Sequence, residues 1–522
     1  MESRHLEALL DPSAYDEATT SVALIQTHVS FLFLTDRFVY KIKKPVDFGF
    51  LNFLTLDRRR FYCEEEVRLN RRLCPGMYLG VVEVRESPAG IRLCGEGAVV
   101  DYAVKMKRLP AERMLDQLLE QDAVGEDDIR GIARIIAEFH LQAERSKEID
   151  SYGGLEVIRR NWSENFQQME PFLSRTLSRA DFNAIREWVE GFMAGHEELF
   201  AERVAKGFIR DCDGDIHSEN ICLADRVYIF DCIEFNARFR CSDTAADLAF
   251  LLMDLEYRGR RDLAEVLLRE YCTVTADRGM TEVLDFYLVY RAFVRGKVES
   301  FRLEDPQIGE PGKMLARRSA RRHFRLARGY ISRRGLSPVL VAFSGLMGAG
   351  KSTLARELSF ELGFELLSSD MLRKELAGLS KTSRCYDGYN EGIYSLEFTR
   401  DTYREMFRRA EEALALGRSV IMDASFSRRD DRSAAAALAR RLGVRFCLFR
   451  ASCPEEVSRE RLEVREAEGS DVSDGRWELF SRQKNDFEPL DPRRENWGEI
   501  DTSRPVEESL GHVLPIVEGR DT

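Results

Sequence analysis

The sequence lacks any apolar run approaching the roughly 18 residues of a membrane span. The longest candidate, residues 339–350, is short and rich in glycine. No charged-then-apolar leader is visible at the start, where Glu2, Glu7 and Asp11 stand among the first fifteen residues. The 11 cysteines are odd in number and form no Cys-x-x-Cys pair. Cys212, Cys222, Cys232 and Cys241 cluster in the chain without metal-ligand spacing, so buried thiols in a reducing cytoplasm are expected. Tracts of low complexity are missing too. With 44% hydrophobic and 32% charged residues, composition excludes collagen-like, coiled-coil, disulfide-scaffold and dominantly disordered classes. The net charge of −12 argues against a general nucleic-acid coat.

What is present is length and a change of pattern. A chain of 522 residues predicts about three domains. Short strands are expected at residues 21–26, 31–35, 37–42, 79–84, 91–94 and 99–108, with a helix at 60–72 between them. Helices are expected at 129–144, 163–173, 179–200, 243–257 and 263–272. An irregular segment, Arg210 to Asn236, interrupts them. Residues 306–337 form an arginine-rich linker, read as a helix whose apolar stripe of Phe324, Ala327 and Ile331 packs. Beyond it strands at 364–368, 419–424, 444–449 and 498–501 alternate with helices, as a parallel sheet requires.

The strongest signal lies in that last part. Gly345-Leu346-Met347-Gly348-Ala349-Gly350-Lys351-Ser352 fits the phosphate-loop pattern G-x-x-x-x-G-K-[ST]. The run 339–343 before it reads as a buried strand, and 353–362 after it as a helix. Glycines let the backbone wrap a phosphate, and the helix presents its positive N-terminus. Thr353 follows the loop. Lys351 is placed to reach the β- and γ-phosphates of ATP, and Ser352 to ligate Mg²⁺. Asp423 ends an apolar strand, where a carboxylate near the metal is expected. Arg459, Arg461 and Arg465 stand on a helix after Pro454, and segment 469–474 looks like the tip of a lid. Arg461 and Arg465, four apart, share a face that faces a transferring phosphoryl group in this reading.

Residues 339–513 resemble the small-molecule and polynucleotide P-loop kinases, which include gluconate kinase, chloramphenicol phosphotransferase and polynucleotide 5′-kinase. Besides the loop, Ser368-Ser369-Asp370-Met371-Leu372-Arg373-Lys374 carries the resemblance. It implies that Asp370 accepts the proton of the acceptor hydroxyl and that Arg373 binds substrate.

Residues 20–305 resemble aminoglycoside phosphotransferases, choline kinases and related protein-kinase-like enzymes. The segment from Asp213 through Gly214, Asp215 and His217 to Asn220, then Ile229-Phe230-Asp231, carries this resemblance. It implies Asp215 as catalytic base and Asn220 and Asp231 as Mg²⁺ ligands. Lys41 matches the lysine that holds the α- and β-phosphates, with Lys43 as runner-up, and Glu66 its partner, with Glu65 second. Residues 106–110 match the hinge between lobes. Two departures stand out. Asp213 replaces the histidine of the pattern, and the turn 27–30 replaces the glycine-rich loop.

The expected architecture is therefore α/β and α+β in two modules. Residues 1–109 form a kinase-like N-lobe, 110–305 a helical C-lobe, 306–337 the linker and 338–522 a P-loop kinase domain with a parallel sheet flanked by helices. The expected activity is ATP- and Mg²⁺-dependent phosphoryl transfer to a small-molecule hydroxyl, without membrane association. The alternatives are an ATP-hydrolysing regulator with a non-catalytic first half, or a polynucleotide 5′-kinase.

Overall fold

In the computed structural model, residues 3–49, 51–88, 90–380, 383, 390–468 and 473–519 are described. The expected lid tip, 469–474, lies largely outside them. The chain divides into two compact units, Met1–Ala327 and Arg328–Thr522. The division falls inside the helix Glu310–Arg333. Among the described residues no helix is long and apolar enough to cross a membrane. Ten cysteines are described, and all are free thiols.

The first unit opens with a six-stranded antiparallel sheet of β1 (Ala23–Gln26), β2 (Ser30–Leu34), β3 (Phe38–Lys43), β4 (Tyr78–Ser87), β5 (Gly90–Leu93) and β6 (Ala98–Lys107). The spatial order is β1-β2-β3-β6-β4-β5. Alternation along β3 divides its side chains. Tyr40 and Ile42 enter an apolar core with Phe33, Val84 and Ala103. Val39 packs on the other face with Cys63 and Val67, from the helix Leu56–Asn70. Lys41 and Lys43 alternate with Tyr40 and Ile42 and so share Val39's face. This alternation is what brings two lysines to one glutamate-bearing helix.

Helices and two small two-stranded sheets complete the unit. β7 (Ile209–Asp211) pairs with β10 (Cys241–Asp243), and β8 (Ile221–Leu223) pairs with β9 (Val227–Ile229). The helix Thr244–Tyr257 is buried on nearly all sides. The expected helix 179–200 is two helices, Arg179–Gly195 and Glu197–Ala205, broken at His196. His196 turns back there: its Nδ1 lies 2.9 Å from the Phe192 carbonyl and its ring stacks on Phe192 at 4.0 Å. The expected helix 163–173 starts earlier, spanning Leu155–Met169. A long helix, Met280–Phe301, was not expected from the sequence pattern.

The second unit is a five-stranded parallel sheet of β11 (Val339–Ser344), β12 (Glu365–Ser368), β13 (Val420–Asp423), β14 (Arg445–Ser452) and β15 (Trp497–Asp501), in the order β12-β13-β11-β14-β15. The central strand β11 is buried along its whole length, as a parallel strand covered on both faces must be. One core, around Met406, Ala410 and Met422, fills one side. Another, around Leu354, Leu358 and Val513, fills the other.

Within the second unit, Gly329 fixes how the end of the helix Glu310–Arg333 meets the helix Lys351–Leu362. A Cβ at Gly329 would stand 1.7 Å from the Glu361 carbonyl oxygen. Alanine in a helix interior normally gains up to about 1 kcal/mol over glycine. Here backbone would have to move, and such overpacking costs about 1–3 kcal/mol. Gly329→Ala is therefore expected to destabilise the second unit, read as an earlier urea transition, whereas a neutral or stabilising effect would refute this packing.

Candidate active sites in the two units

In the second unit the phosphate loop bridges β11 and the helix Lys351–Leu362. Gly345 and Gly350 take φ of +145° and +81°. A Cβ at Gly345 would lie 2.5 Å from the Ala451 carbonyl oxygen, so only glycine fits there. The loop is held from behind. The Gly345 amide donates to the Ser425 carbonyl at 3.1 Å. The Met347 amide donates to Gln483 Oε1 at 2.7 Å, and the Thr502 hydroxyl donates to the Ala349 carbonyl at 2.9 Å.

Lys351, Ser352, Asp370 and Asp423 converge at the carboxyl ends of β11, β12 and β13. Lys351 Nζ donates to the Leu346 carbonyl at 2.8 Å. Burial lowers its pKa, only partly offset by Asp423 and Asp370. Burial also raises the Asp423 carboxyl, against the pull of Lys351 and a hydrogen bond from Ser352, with Asp370 adding to the rise. The two groups thus sit in one weakly solvated pocket with opposite charges. Oxygen donors from Ser352 and Asp423 suit Mg²⁺, a hard cation.

The arginines take different places. Arg461 donates to the Thr502 carbonyl at 2.5 Å and to the Gly348 carbonyl at 3.4 Å, so it braces the loop. Arg465 is electrostatically coupled to Lys351. Both line a cavity of about 720 Å³ beside the loop, with Gly348, Gly350, Thr353 and Thr502. Arg373 is buried, donates to the Ile393 carbonyl at 2.6 Å and Thr399 at 3.0 Å, and lies 4.7 Å over the Tyr394 ring. Tyr394 in turn donates to Asp474 at 2.8 Å, and Lys374 is 3.5 Å from the same carboxylate. Burial, then Asp370 and Asp474, raise the Tyr394 hydroxyl's pKa. Thr502, Gln483 and Tyr394 escaped the sequence reading because single polar residues after a strand or in a helix carry no pattern.

In the first unit four segments meet. Lys41 Nζ lies 2.6 Å from Asp231 and 2.9 Å from Glu66 Oε1. Lys43 Nζ lies 2.6 Å from Glu66 Oε2 and also pairs with Glu234. Burial opposes ionisation of Glu66, but Lys41 and Lys43 outweigh it and bring its pKa down to about 2. Glu65 instead faces Arg68, at 2.7 Å. Asp231 follows β9 with φ of +67°, a left-handed conformation unusual for aspartate. Asn220 precedes β8 and donates its amide to Asp215 Oδ2 at 3.2 Å. Burial works against ionisation of Asp215, yet His217, Arg295 and Arg291 hold its pKa below the usual value. Carboxylate and amide oxygens at Asp231 and Asn220 again suit Mg²⁺. In the turn 27–30 the Thr27 hydroxyl accepts the amides of Ser30 and Val29 at 3.0 and 3.3 Å.

The loop carrying Asp215 is clamped. Asp247 accepts the amides of Asp213 and Gly214 at 3.0 and 2.8 Å and lies 3.0 Å from His140 Nε2. Arg291 donates to the Gly214 carbonyl at 3.0 Å. His140, Cys212 and Asp247 lie within 4.8 Å of one another. His140 is already engaged by Tyr271 at 2.7 Å and by Asp247, so the cluster reads as support for the loop. Asp213 is raised well above its ordinary range by burial and by the charge of Asp247.

An AAA domain family matches residues 340–490. Proteins of Mycobacterium tuberculosis and Mycobacterium bovis, each described as uncharacterised, are 30% identical over 495 residues, 94% of this chain and 94% of theirs. Among solved structures, a gluconokinase from Sinorhizobium meliloti is 20% identical, covering 35% of this chain and 93% of its own, with a TM-score of 0.25. The Mycobacterium tuberculosis APS kinase in complex with AMPPNP and APS is 18% identical, covering 35% and 98%, with a TM-score of 0.25. A sugar kinase from Janibacter sp. is 21% identical, covering 35% and 98%, with a TM-score of 0.26.

The Asp213–Asp247 contact generates a pH dependence. A carboxyl whose pKa is raised by folding binds its proton more tightly when folded. Its contribution to stability is present below the unfolded pKa of about 3.9 and is lost as pH rises toward the folded value. Asp213→Asn removes that loss. The variant is expected to gain stability over wild type as pH rises above about 4, in urea titrations of the full chain. A difference that does not change with pH would contradict the raised pKa of Asp213.

Proposed function

The chain belongs to the family of the mycobacterial proteins that it matches over nearly their whole length, and from that premise we propose that it is an ATP-dependent phosphotransferase with a nucleotide site in each unit. The carrying observation is the convergence of Lys351, Ser352, Asp370 and Asp423 around a glycine loop at the open end of a parallel sheet. Ligands of such sheets bind outside the carboxyl ends of the strands.

In this reading the loop amides and the N-terminus of the helix Lys351–Leu362 receive the phosphates of ATP. Lys351 exchanges the Leu346 carbonyl for a phosphate oxygen. Ser352 and Asp423 hold Mg²⁺, which neutralises charge on the transferring group when bound. Asp370 takes the proton of an acceptor hydroxyl. Arg465 faces the phosphoryl group beside Lys351, while Arg461 braces the loop and borders the nucleoside cavity. Arg373, stacked on Tyr394, forms part of the acceptor wall. A small-molecule acceptor is favoured over nucleic acid by the acidic balance of the chain.

The first unit is read in parallel. Lys41, paired with Glu66, engages phosphate, Asp231 and Asn220 hold Mg²⁺, and Asp215 serves as base. Its support is the meeting of these five residues from four segments, together with the resemblance of the 213–231 segment to aminoglycoside phosphotransferases.

The test is transfer of label from γ-labelled ATP to a panel of hydroxyl acceptors, using the full chain. Lys351→Ala is expected to lower transfer by the second unit about 10²–10³-fold. Asp370→Asn is expected to lower it about 10²–10⁴-fold while leaving nucleotide affinity in place. Release of ADP that needs no acceptor and ignores Asp370→Asn would replace this reading with that of an ATP-hydrolysing regulator.

A further inference from the structure

We propose that Lys43 is a positioning residue of the first unit: it holds Glu66 and Glu234 at once and thereby sets Lys41 and Asp231 for a Mg²⁺-bound nucleotide that Lys43 itself does not touch. This rests on reading that unit as a nucleotide site.

Lys43 is too enclosed to meet a ligand. Its side chain is 1% exposed, against 13% for Lys41, and its ammonium lies 4.9 Å from the Phe53 ring centroid. It nevertheless divides the work of Glu66. One carboxylate oxygen goes to Lys43 at 2.6 Å, the other to Lys41 at 2.9 Å. Glu66 therefore cannot turn both oxygens to Lys41, and Lys41 is presented to Asp231 at 2.6 Å.

The second partner, Glu234, stands three residues after Asp231. The intervening backbone is tied at each residue. The Cys232 amide donates to Asn70 Oδ1 at 2.9 Å, and Asn70 donates to the Glu66 carbonyl at 2.9 Å. The Ile233 amide donates to the Asp213 carbonyl at 3.0 Å. The Lys43–Glu234 pair closes this segment onto β3. Asp231 holds a left-handed backbone that other contacts must enforce. When a phosphate draws Lys41 away from Asp231, Lys43 keeps both the segment and Glu66 in place.

Charge makes the arrangement sensitive. Glu66, Glu234 and Asp231 share two lysines, and removing one partner of a buried pair leaves an uncompensated charge. Without Lys43, Lys41 is the cation left for all three carboxylates, and Asp231 loses its fixed position. Removing an outer support of a metal ligand lowers metal affinity about 10–100-fold.

The experiment measures binding of a non-hydrolysable ATP analogue to the full-length chain by equilibrium dialysis across a Mg²⁺ titration. Lys351→Ala is included in every sample to silence the second unit. Lys43→Met and Glu234→Gln are each expected to raise the half-saturating Mg²⁺ concentration about 10–100-fold. The double variant is expected to show no more than the larger single shift. Glu234→Gln keeps shape and loses charge, so it carries the test if Lys43→Met does not fold. An unchanged Mg²⁺ dependence in folded Glu234→Gln, or shifts that multiply in the double variant, would overturn the proposal. If the parent binds no nucleotide, or Lys41→Met and Asp231→Asn leave binding untouched, the nucleotide reading of the unit falls and takes the role of Lys43 with it.

Discussion

Withdrawing an ammonium group from water is costly unless something answers the charge. The two units answer it differently. Lys351 has a backbone carbonyl at 2.8 Å, and burial lowers its pKa. It is left short of negative charge, which an arriving nucleotide supplies. Lys41 is the opposite case: burial disfavours its charge, but Asp231, Glu66 and Glu234 more than compensate and raise its pKa well above the ordinary value. A nucleotide at Lys41 must displace part of an existing ionic cluster, whereas one at Lys351 completes an incomplete one. On the reading proposed above, the first unit would therefore need Mg²⁺ beside Asp231 to offset carboxylate charge, and the second would depend more on the loop itself.

The rest of each unit can be understood as support for that withdrawal. In the second, the loop is fixed from outside by Ser425, Gln483 and Thr502, which belong to three separate stretches of sequence. In the first, the loop of Asp215 hangs from Asp247 and Arg291 on two buried helices. Such preorganised groups spare reorganisation when charge develops during transfer. The protein's net charge of −12 is no obstacle, because the relevant field is local to each pocket.

The sequence made some of this legible and not the rest, for physical reasons. The loop Gly345–Ser352 was readable because it demands glycines at fixed spacing between a strand and a helix. The strands of the first sheet were readable because alternation marks them, and that alternation already placed Lys41 and Lys43 on one face. The helix Met280–Phe301 was missed, although it supplies Arg291 and Arg295. It is buried on so many sides that no single apolar stripe marks it. No sequence pattern could mark Glu234 as the partner of Lys43, which lies 191 positions away in the chain. Arg461 was expected at the transferring phosphoryl group, and spacing could not reveal that Thr502 and Gly348 hold it.

The central claim is that Lys41 and Lys351 are both phosphate-binding groups in one chain. Its most direct measurement is stoichiometry: isothermal titration of the full chain with a non-hydrolysable ATP analogue at saturating Mg²⁺. The account predicts two nucleotides per chain, one lost with Lys351→Ala and the other with Lys41→Met. A single nucleotide per chain, lost with Lys351→Ala and indifferent to Lys41→Met, would contradict it.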